Sequence, residues 1–208
     1  MSAIRQIVRI PMQSAGGLHT PQFITFNGLN DQREHIALVF GEPNRSQPVT
    51  VRVHSECLTG DVFGSCRCDC GPQLSDAIEL LSVECGILLY MRHEGRGIGL
   101  YNKMDAYALQ DRGHDTFEAN AALGFPDDLR DFTAAADMLR ALDVSAVRLV
   151  TNNPDKVGQL ERNGIRVHSR VQRCINRNPH NLRYLEAKRT KARHAIPLHP
   201  HEAGEVTG

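Results

Sequence analysis

The sequence predicts an α/β fold: a mixed sheet with flanking helices and a β-rich N-terminal third. Three observations predict it. The first third consists of short alternating runs broken by Gly, Pro, Asn and Asp. From Leu74 onward apolar residues recur at helical spacing. Among these helical stretches stand short runs such as Gly86–Tyr90, apolar throughout, as expected of a strand buried on both faces.

The elements follow in order. Strands are predicted at Arg5–Ile10, Gln22–Phe26, His35–Phe40 and Val49–Val53. Leu74, Ala77, Ile78 and Leu81 share one helical face, and the Gly86–Tyr90 strand comes next. A glycine-rich loop, Glu94–Gly99, leads into a helix ending near Arg112, and a second helix runs from about Asp131 to Leu142. A strand at Val147–Val150, a helix at about Asp155–Asn163 and a strand at Ile165–Val167 complete the pattern. Alternating strands and helices argue for parallel pairing with right-handed crossovers in this half.

With 208 residues the chain can build one substantial core, at a prior of about 150 residues per domain. We expect a single domain over residues 1–187 and a mobile tail at 188–208, where His, Lys and Arg give way to Pro and Gly. No run of about 18 apolar residues could cross a bilayer, and the N-terminus enters a strand-like segment without a signal-peptide stretch. This reads as a soluble, cytoplasmic protein with no membrane partner. Lys plus Arg (24) equals Asp plus Glu (24), so the basic excess that marks nucleic-acid binders is missing.

Four of the six cysteines, Cys57, Cys66, Cys68 and Cys70, fall within fourteen residues, which in a reducing compartment suggests a metal rather than disulfides. Cys85 and Cys174 read as buried apolar fillers. Cys66, Cys68 and Cys70 stand at i, i+2 and i+4, so an extended chain would present all three on one side, with Cys57 returning through a glycine-containing loop. Spacing does not choose three ligands from four. A closed four-thiolate site would be structural; a three-thiolate site leaves a position for water, whose pKa on zinc falls from about 15.7 to near 7. The acidic and polar residues around the cluster favour the second. His54-Ser55-Glu56 ahead of clustered cysteines is similar to the zinc signature of nucleobase deaminases, but here the cysteines are one residue apart and no proline precedes them.

An ordered series of motifs carries a more specific resemblance. RVHSEC at Arg52–Cys57 is followed by LTGD, RCDCGPQ at Arg67–Gln73 and HEGRGIGL at His93–Leu100. AYALQD at Ala106–Asp111, DTFEAN at Asp115–Asn120 and LGF at Leu123–Phe125 come next. DLRDF at Asp128–Phe132, TNNP at Thr151–Pro154 and RNPHNLRY at Arg177–Tyr184 close the series. In this the chain resembles GTP cyclohydrolase II from about residue 50 to residue 185, while the first 45 residues match only loosely.

The resemblance implies zinc held by Cys57, Cys68 and Cys70 with water as the fourth ligand, and Cys66 as a bystander. It implies a GTP site at Arg52, Val53, His54, Ser55 and Glu56, then Gln73, Glu94, Gly95 and Arg96, and further along Thr116, Thr151 and Lys156. Those residue types suit a nucleoside triphosphate: carboxylates and amides can read a guanine edge, and Arg, Lys, Thr and backbone N–H groups can hold phosphates. Magnesium is implied with the triphosphate. Tyr107 matches the family's proton-transferring tyrosine, Asp128 its general base and Arg130 the residue assigned to attack the α-phosphate. A guanidinium stays protonated, so charge stabilisation is the competing role for Arg130. From the residues alone, Tyr107 would be a core residue near Leu100, Met104 and Leu109, and Asp128 with Arg130 a solvated loop pair. The implied reaction opens the guanine imidazole ring and releases formate and pyrophosphate, the first step of riboflavin synthesis, in a homodimeric enzyme. Some members stop with the formyl group attached; Met91, His93, Tyr101 and Asp105 stand at positions where relatives vary.

Overall fold

A computed structural model describes residues 2–126, 128–172 and 181, with the side chains of residues 116 and 117 left out. Numbered in chain order, its strands are β1 (Ala3–Arg9), β2 (Met12–Ser14), β3 (Gly17–His19), β4 (Gln22–Asn27), β5 (Ile36–Val39), β6 (Val49–Ser55), β7 (Ile87–Met91), β8 (Ala146–Val150) and β9 (Arg166–Val171). The helices are α1 (Leu58–Asp61), α2 (Cys70–Val83), α3 (Leu100–Asp111), α4 (Thr116–Ala122), α5 (Thr133–Ala141) and α6 (Pro154–Arg162), and a 3-10 turn spans Glu94–Gly97.

Seven strands form one mixed sheet in the order β1-β4-β5-β7-β6-β8-β9, and β2 pairs with β3 in a separate hairpin. The β1-β4-β5-β7 side is antiparallel, whereas β6 pairs in parallel with both β7 and β8, and β8 with β9. The α/β class with its strand-rich beginning is thus as the sequence predicts.

Period-2 alternation explains why β7 is apolar throughout. Leu89 and Met91 enter a large core with Met138, Leu139 and Leu160, while Leu88 packs with Ala77, Ile78 and Leu81 of α2 on the other face. Each such buried side chain stabilises by about 1.5–3 kcal/mol relative to exposure. In β6 the same alternation sends Val49, Val51 and Val53 into the large core. Thr50, Arg52 and His54, which intervene, are buried toward α1 and α2, where each finds a polar partner. The chain leaves β6 for β7 on one side and later reaches β8 on the other, so β6 is a topological switch point. The crevice outside the carboxyl ends of such strands is where α/β sheets bind ligands.

Several elements differ from expectation. The β2–β3 hairpin, α1 and α4 are additional. α4 begins with a reciprocal cap in which Asp115 N donates to Glu118 Oε2 (2.8 Å) and Glu118 N to Asp115 Oδ1 (2.9 Å). α2 starts four residues before Leu74, and β9 extends to Val171. Cys85 is half-buried rather than a buried filler; it takes a left-handed conformation (φ 50°) between α2 and β7, with its sulfur against Gly41. The predicted tail at 188–208, Cys174 and the Arg177–Tyr184 motif lie outside the described residues, apart from Asn181, which is buried.

Candidate metal centre and active site

The three thiols converge where β6 ends and α2 begins. Cys57 follows β6, Cys68 lies in the turn before α2, and Cys70 is the first residue of α2. Their sulfurs all lie within 4.8 Å of one another, with Cys57 and Cys68 3.6 Å apart, so the group could hold a metal ion. Cys66 is exposed and outside the group, because residues 66–69 turn rather than extend. The expectation of three sulfurs on one side of an extended strand therefore fails for Cys66. Gly60 of α1 shapes the cradle: a Cβ there would meet Cys68 Sγ at 2.8 Å, Cys70 Cβ at 3.1 Å and Cys57 Sγ at 3.2 Å. Hydrogen bonding with Cys68 and Cys70 lowers the Cys57 pKa, while the bond shared with Cys57 pushes Cys68 up to about 11.

α3 turns a polar face to this centre. Lys103, Ala106, Tyr107 and Gln110 follow i, i+3, i+4, i+7 spacing and line the same cavity as the cysteines. Lys103 Nζ donates to Cys57 Sγ (3.1 Å), Thr59 Oγ1 (3.0 Å) and Glu94 Oε1 (2.8 Å). Burial opposes its charge, but the Glu94 bond and the Cys57 charge more than offset this, so its pKa is raised. Tyr107 is partly buried with the Arg67 guanidinium 4.4 Å from its ring centre, and Arg67 is itself anchored by a fork to Asp111. Burial raises the Tyr107 pKa, while the Lys103 charge and a Thr59 hydrogen bond oppose the rise. Of the apolar residues that suggested a core setting for Tyr107, Met104 is exposed while Leu100 and Leu109 are half-buried.

A second wall comes from the glycine loop and the segment it clasps. Gly95, Arg96 and Gly97 all have positive φ (61°, 59° and 96°). At Gly97 a Cβ would come 3.0 Å from the Leu129 Cβ and 3.3 Å from its carbonyl carbon, and Arg96 O accepts from Leu129 N (3.1 Å). That contact sets Asp128 and Arg130 beside the pocket. Arg130 donates from Nε (2.8 Å) and Nη2 to the two Asp128 oxygens, and from Nη1 to Ser55 Oγ (3.4 Å). Burial pushes the Asp128 carboxyl up, but the Arg130 bonds outweigh it and leave the pKa lowered.

The other mapped positions divide in two. Ser55, Glu56, Glu94, Gly95 and Arg96 line the cavity. Glu94 is fully engaged: Oε1 accepts from Lys103 and Gly95 N (2.8 Å), and Oε2 from Leu58 N (2.7 Å). Arg52, Val53, His54, Thr151 and Lys156 are instead buried off its wall, Val53 within the large core, and Gln73 is half-buried. Arg52 bridges Val150 O (3.0 Å) and Gln73 (2.8 Å), His54 contacts Asp61 (3.1 Å), and Lys156 Nζ donates to Val53 O (2.7 Å). Thr151 Oγ1 accepts from Asn153 N (3.0 Å) ahead of α6, and Thr116 has no described side chain. Lys103, Gln110, His93 and Asn120 line the cavity without having been singled out for it. The helical spacing of Lys103 and Gln110 from Tyr107 was the available signal.

Asp31, His35 and His93 also gather ligand atoms within 4.8 Å, but hydrogen bonding closes that group. The Arg92 N–H donates to His35 Nδ1 (2.9 Å), which leaves the ring proton on Nε2, facing Asp31 at 2.8 Å. A metal-binding imidazole would donate from its remote nitrogen, the opposite arrangement. The pair instead ties residues 31–35 to the end of β7. His93 beside it is 3% exposed, and burial pushes its pKa down to about 4.

The family model described as GTP cyclohydrolase II matches residues 5–172. A protein named GTP cyclohydrolase-2 from Psychromonas ingrahamii is 54% identical over 177 residues, 84% of this chain and 88% of that one. The protein of the same name from Vibrio cholerae is 51% identical over 178 residues, covering 85% and 90%. Riboflavin biosynthesis protein RibBA from Cytophaga hutchinsonii is 51% identical over 174 residues, 83% of this chain and 43% of its own length. Matched by the family model over most of its length and by relatives of this similarity, the chain belongs to the GTP cyclohydrolase II family of hydrolases.

Proposed function

We propose that the protein hydrolyses GTP, opening the imidazole ring of guanine and releasing formate and pyrophosphate, with zinc at Cys57, Cys68 and Cys70. The observation that carries this reading is the open triangle of three sulfurs on one cavity with Tyr107 and Arg130. Three thiolates are a donor set suited to zinc, and Gly60 keeps their centre free of side chain. When bound, zinc supplies a Lewis acid that makes water nucleophilic at neutral pH.

The chain's own groups do the rest. One water adds at C8 and the C8–N9 bond opens; a second attacks the formyl carbon and expels formate. Tyr107, held under Arg67, is placed to move a proton in these steps; its raised pKa keeps the phenol protonated and able to donate. A third water cleaves the α–β phosphoanhydride. Arg130 is doubly bonded to the Asp128 carboxylate and so remains a cation, which favours stabilising charge at the α-phosphate over attacking it. Asp128 then orients Arg130, its lowered pKa making it a weak base. Magnesium fits among the phosphate oxygens of the substrate. The product is 2,5-diamino-6-(5-phosphoribosylamino)pyrimidin-4-one, the opening step of riboflavin biosynthesis in the cytoplasm. Exposed Ile4, Ile7 and Val8 on the edge strand β1 support the expected homodimer.

The test is incubation of purified protein with GTP and magnesium, following formate, pyrophosphate and product mass. Formate equal to GTP consumed is expected. A product heavier by the mass of CO would show a member that stops at the formamidopyrimidine nucleotide, and GTP left intact would refute the reading.

A further inference from the structure

Lys103 is a cation where charged side chains rarely lie, 8% exposed on the inner face of α3. An ammonium offers three donors, and all three are engaged: to Cys57 Sγ at 3.1 Å, Thr59 Oγ1 at 3.0 Å and Glu94 Oε1 at 2.8 Å. Glu94 in turn accepts from Gly95 N and Leu58 N. The network joins α3, the 3-10 turn and the first residue of α1 to one sulfur of the metal group. Burying such a pair is costly unless every partner is in place, and here each is. The ammonium thus bears directly on the Cys57 sulfur of the metal group.

We propose that Lys103, oriented by Glu94, is a positioning residue for the metal centre: its ammonium donates to the Cys57 thiolate and draws charge from that sulfur. Three thiolates around a divalent cation carry a net charge of −1, which weakens the ion as a Lewis acid. An ammonium on one sulfur offsets part of that charge. Glu94 thereby acts on the metal through Lys103 and Leu58 N, in addition to its place in the cavity wall.

The inference rests on the metal-centre reading above, and its test separates the two. Wild type and Lys103→Met are loaded with Co2+, and the thiolate-to-metal charge-transfer band is recorded; zinc affinity is measured by competition with a chromophoric chelator. Removing the ammonium raises the energy of the sulfur lone pairs, so the band should move to longer wavelength. The band decides. An unshifted band in folded Lys103→Met, with or without an affinity loss, overturns the proposal and reduces Lys103 to packing. If circular dichroism shows that variant unfolded, Glu94→Gln carries the test, with a smaller shift in the same direction expected and an unshifted band refuting it. A wild-type protein that binds neither cation sinks the metal reading itself, whereas bound cobalt indifferent to Lys103 sinks only this inference.

Discussion

Gly60→Ala sets two forces of known size against each other at the metal cradle. Gly60 sits in α1 without positive φ, so alanine is conformationally allowed and helix propensity alone favours it by about 1 kcal/mol. The new methyl would however stand 2.8 Å from Cys68 Sγ and 3.2 Å from Cys57 Sγ. Ordinary contact needs roughly 3.5 Å, so the Cys68 sulfur must retreat by about 0.7 Å. Metal–ligand distances tolerate about 0.2 Å, while overpacking of this kind costs about 1–3 kcal/mol. The metal-free protein should therefore lose no more than about 2 kcal/mol, whereas the metal site should fail. Zinc content after dialysis against a chelator, with thermal melts in the presence and absence of zinc, reads both quantities. We expect well under one zinc per chain and little stabilisation by added zinc. A Gly60→Ala protein holding one zinc per chain, with the wild-type response of Tm to zinc, would refute the cradle argument.

Other expectations follow from the same geometry. Cys66→Ser should keep about one zinc per chain while Cys68→Ser loses it, because only Cys68 lies in the sulfur triangle; metal analysis showing the reverse would overturn the ligand set. Tyr107→Phe removes one hydroxyl and should lower turnover roughly 10²–10⁴-fold with zinc and GTP still bound, so wild-type turnover would return Tyr107 to packing. His93 contributes a pH dependence of stability. Its folded pKa of about 4 lies below the ordinary imidazole value of about 6.5, so the unfolded chain takes up the proton first. Stability is then full above pH 6.5 and declines toward pH 4, by up to about 3 kcal/mol for 2.5 units at 1.36 kcal/mol each. Urea unfolding at the two ends of that window should show a decline about that much smaller in His93→Gln, and equal declines would rule the assignment out.

The sequence by itself determined most of the elements, though not the β2–β3 hairpin, α1 or α4, and the chemical inventory. The apolar run Gly86–Tyr90 reads as a strand buried on both faces, and the helix at Leu74–Leu81 follows from one apolar face. The ordered motifs likewise marked Cys57, Cys68, Cys70, Tyr107 and Arg130, which the fold gathers on one cavity. What periodicity reports is local burial along one element, so it is silent about which element ends meet. The i, i+2, i+4 cysteine spacing assumed an extended chain; the turn before α2 carried Cys66 to solvent instead. On α3 the residues alone read Tyr107 as core beside Leu100, Met104 and Leu109, and the packing turned Lys103 inward with it. A buried lysine is tolerated there only because Glu94, 9 residues earlier in the chain, and Cys57, 46 residues earlier, arrive at its ammonium from other elements. For Arg52 and His54, which the motifs assign to the nucleotide, β6 alternation decides the neighbours: they meet Gln73 of α2 and Asp61 of α1. Long-range strand order, with β6 set between β7 and β8, decided all of these placements, because hydrogen-bonded pairing between distant segments is a property of the closed sheet and not of any one run of residues.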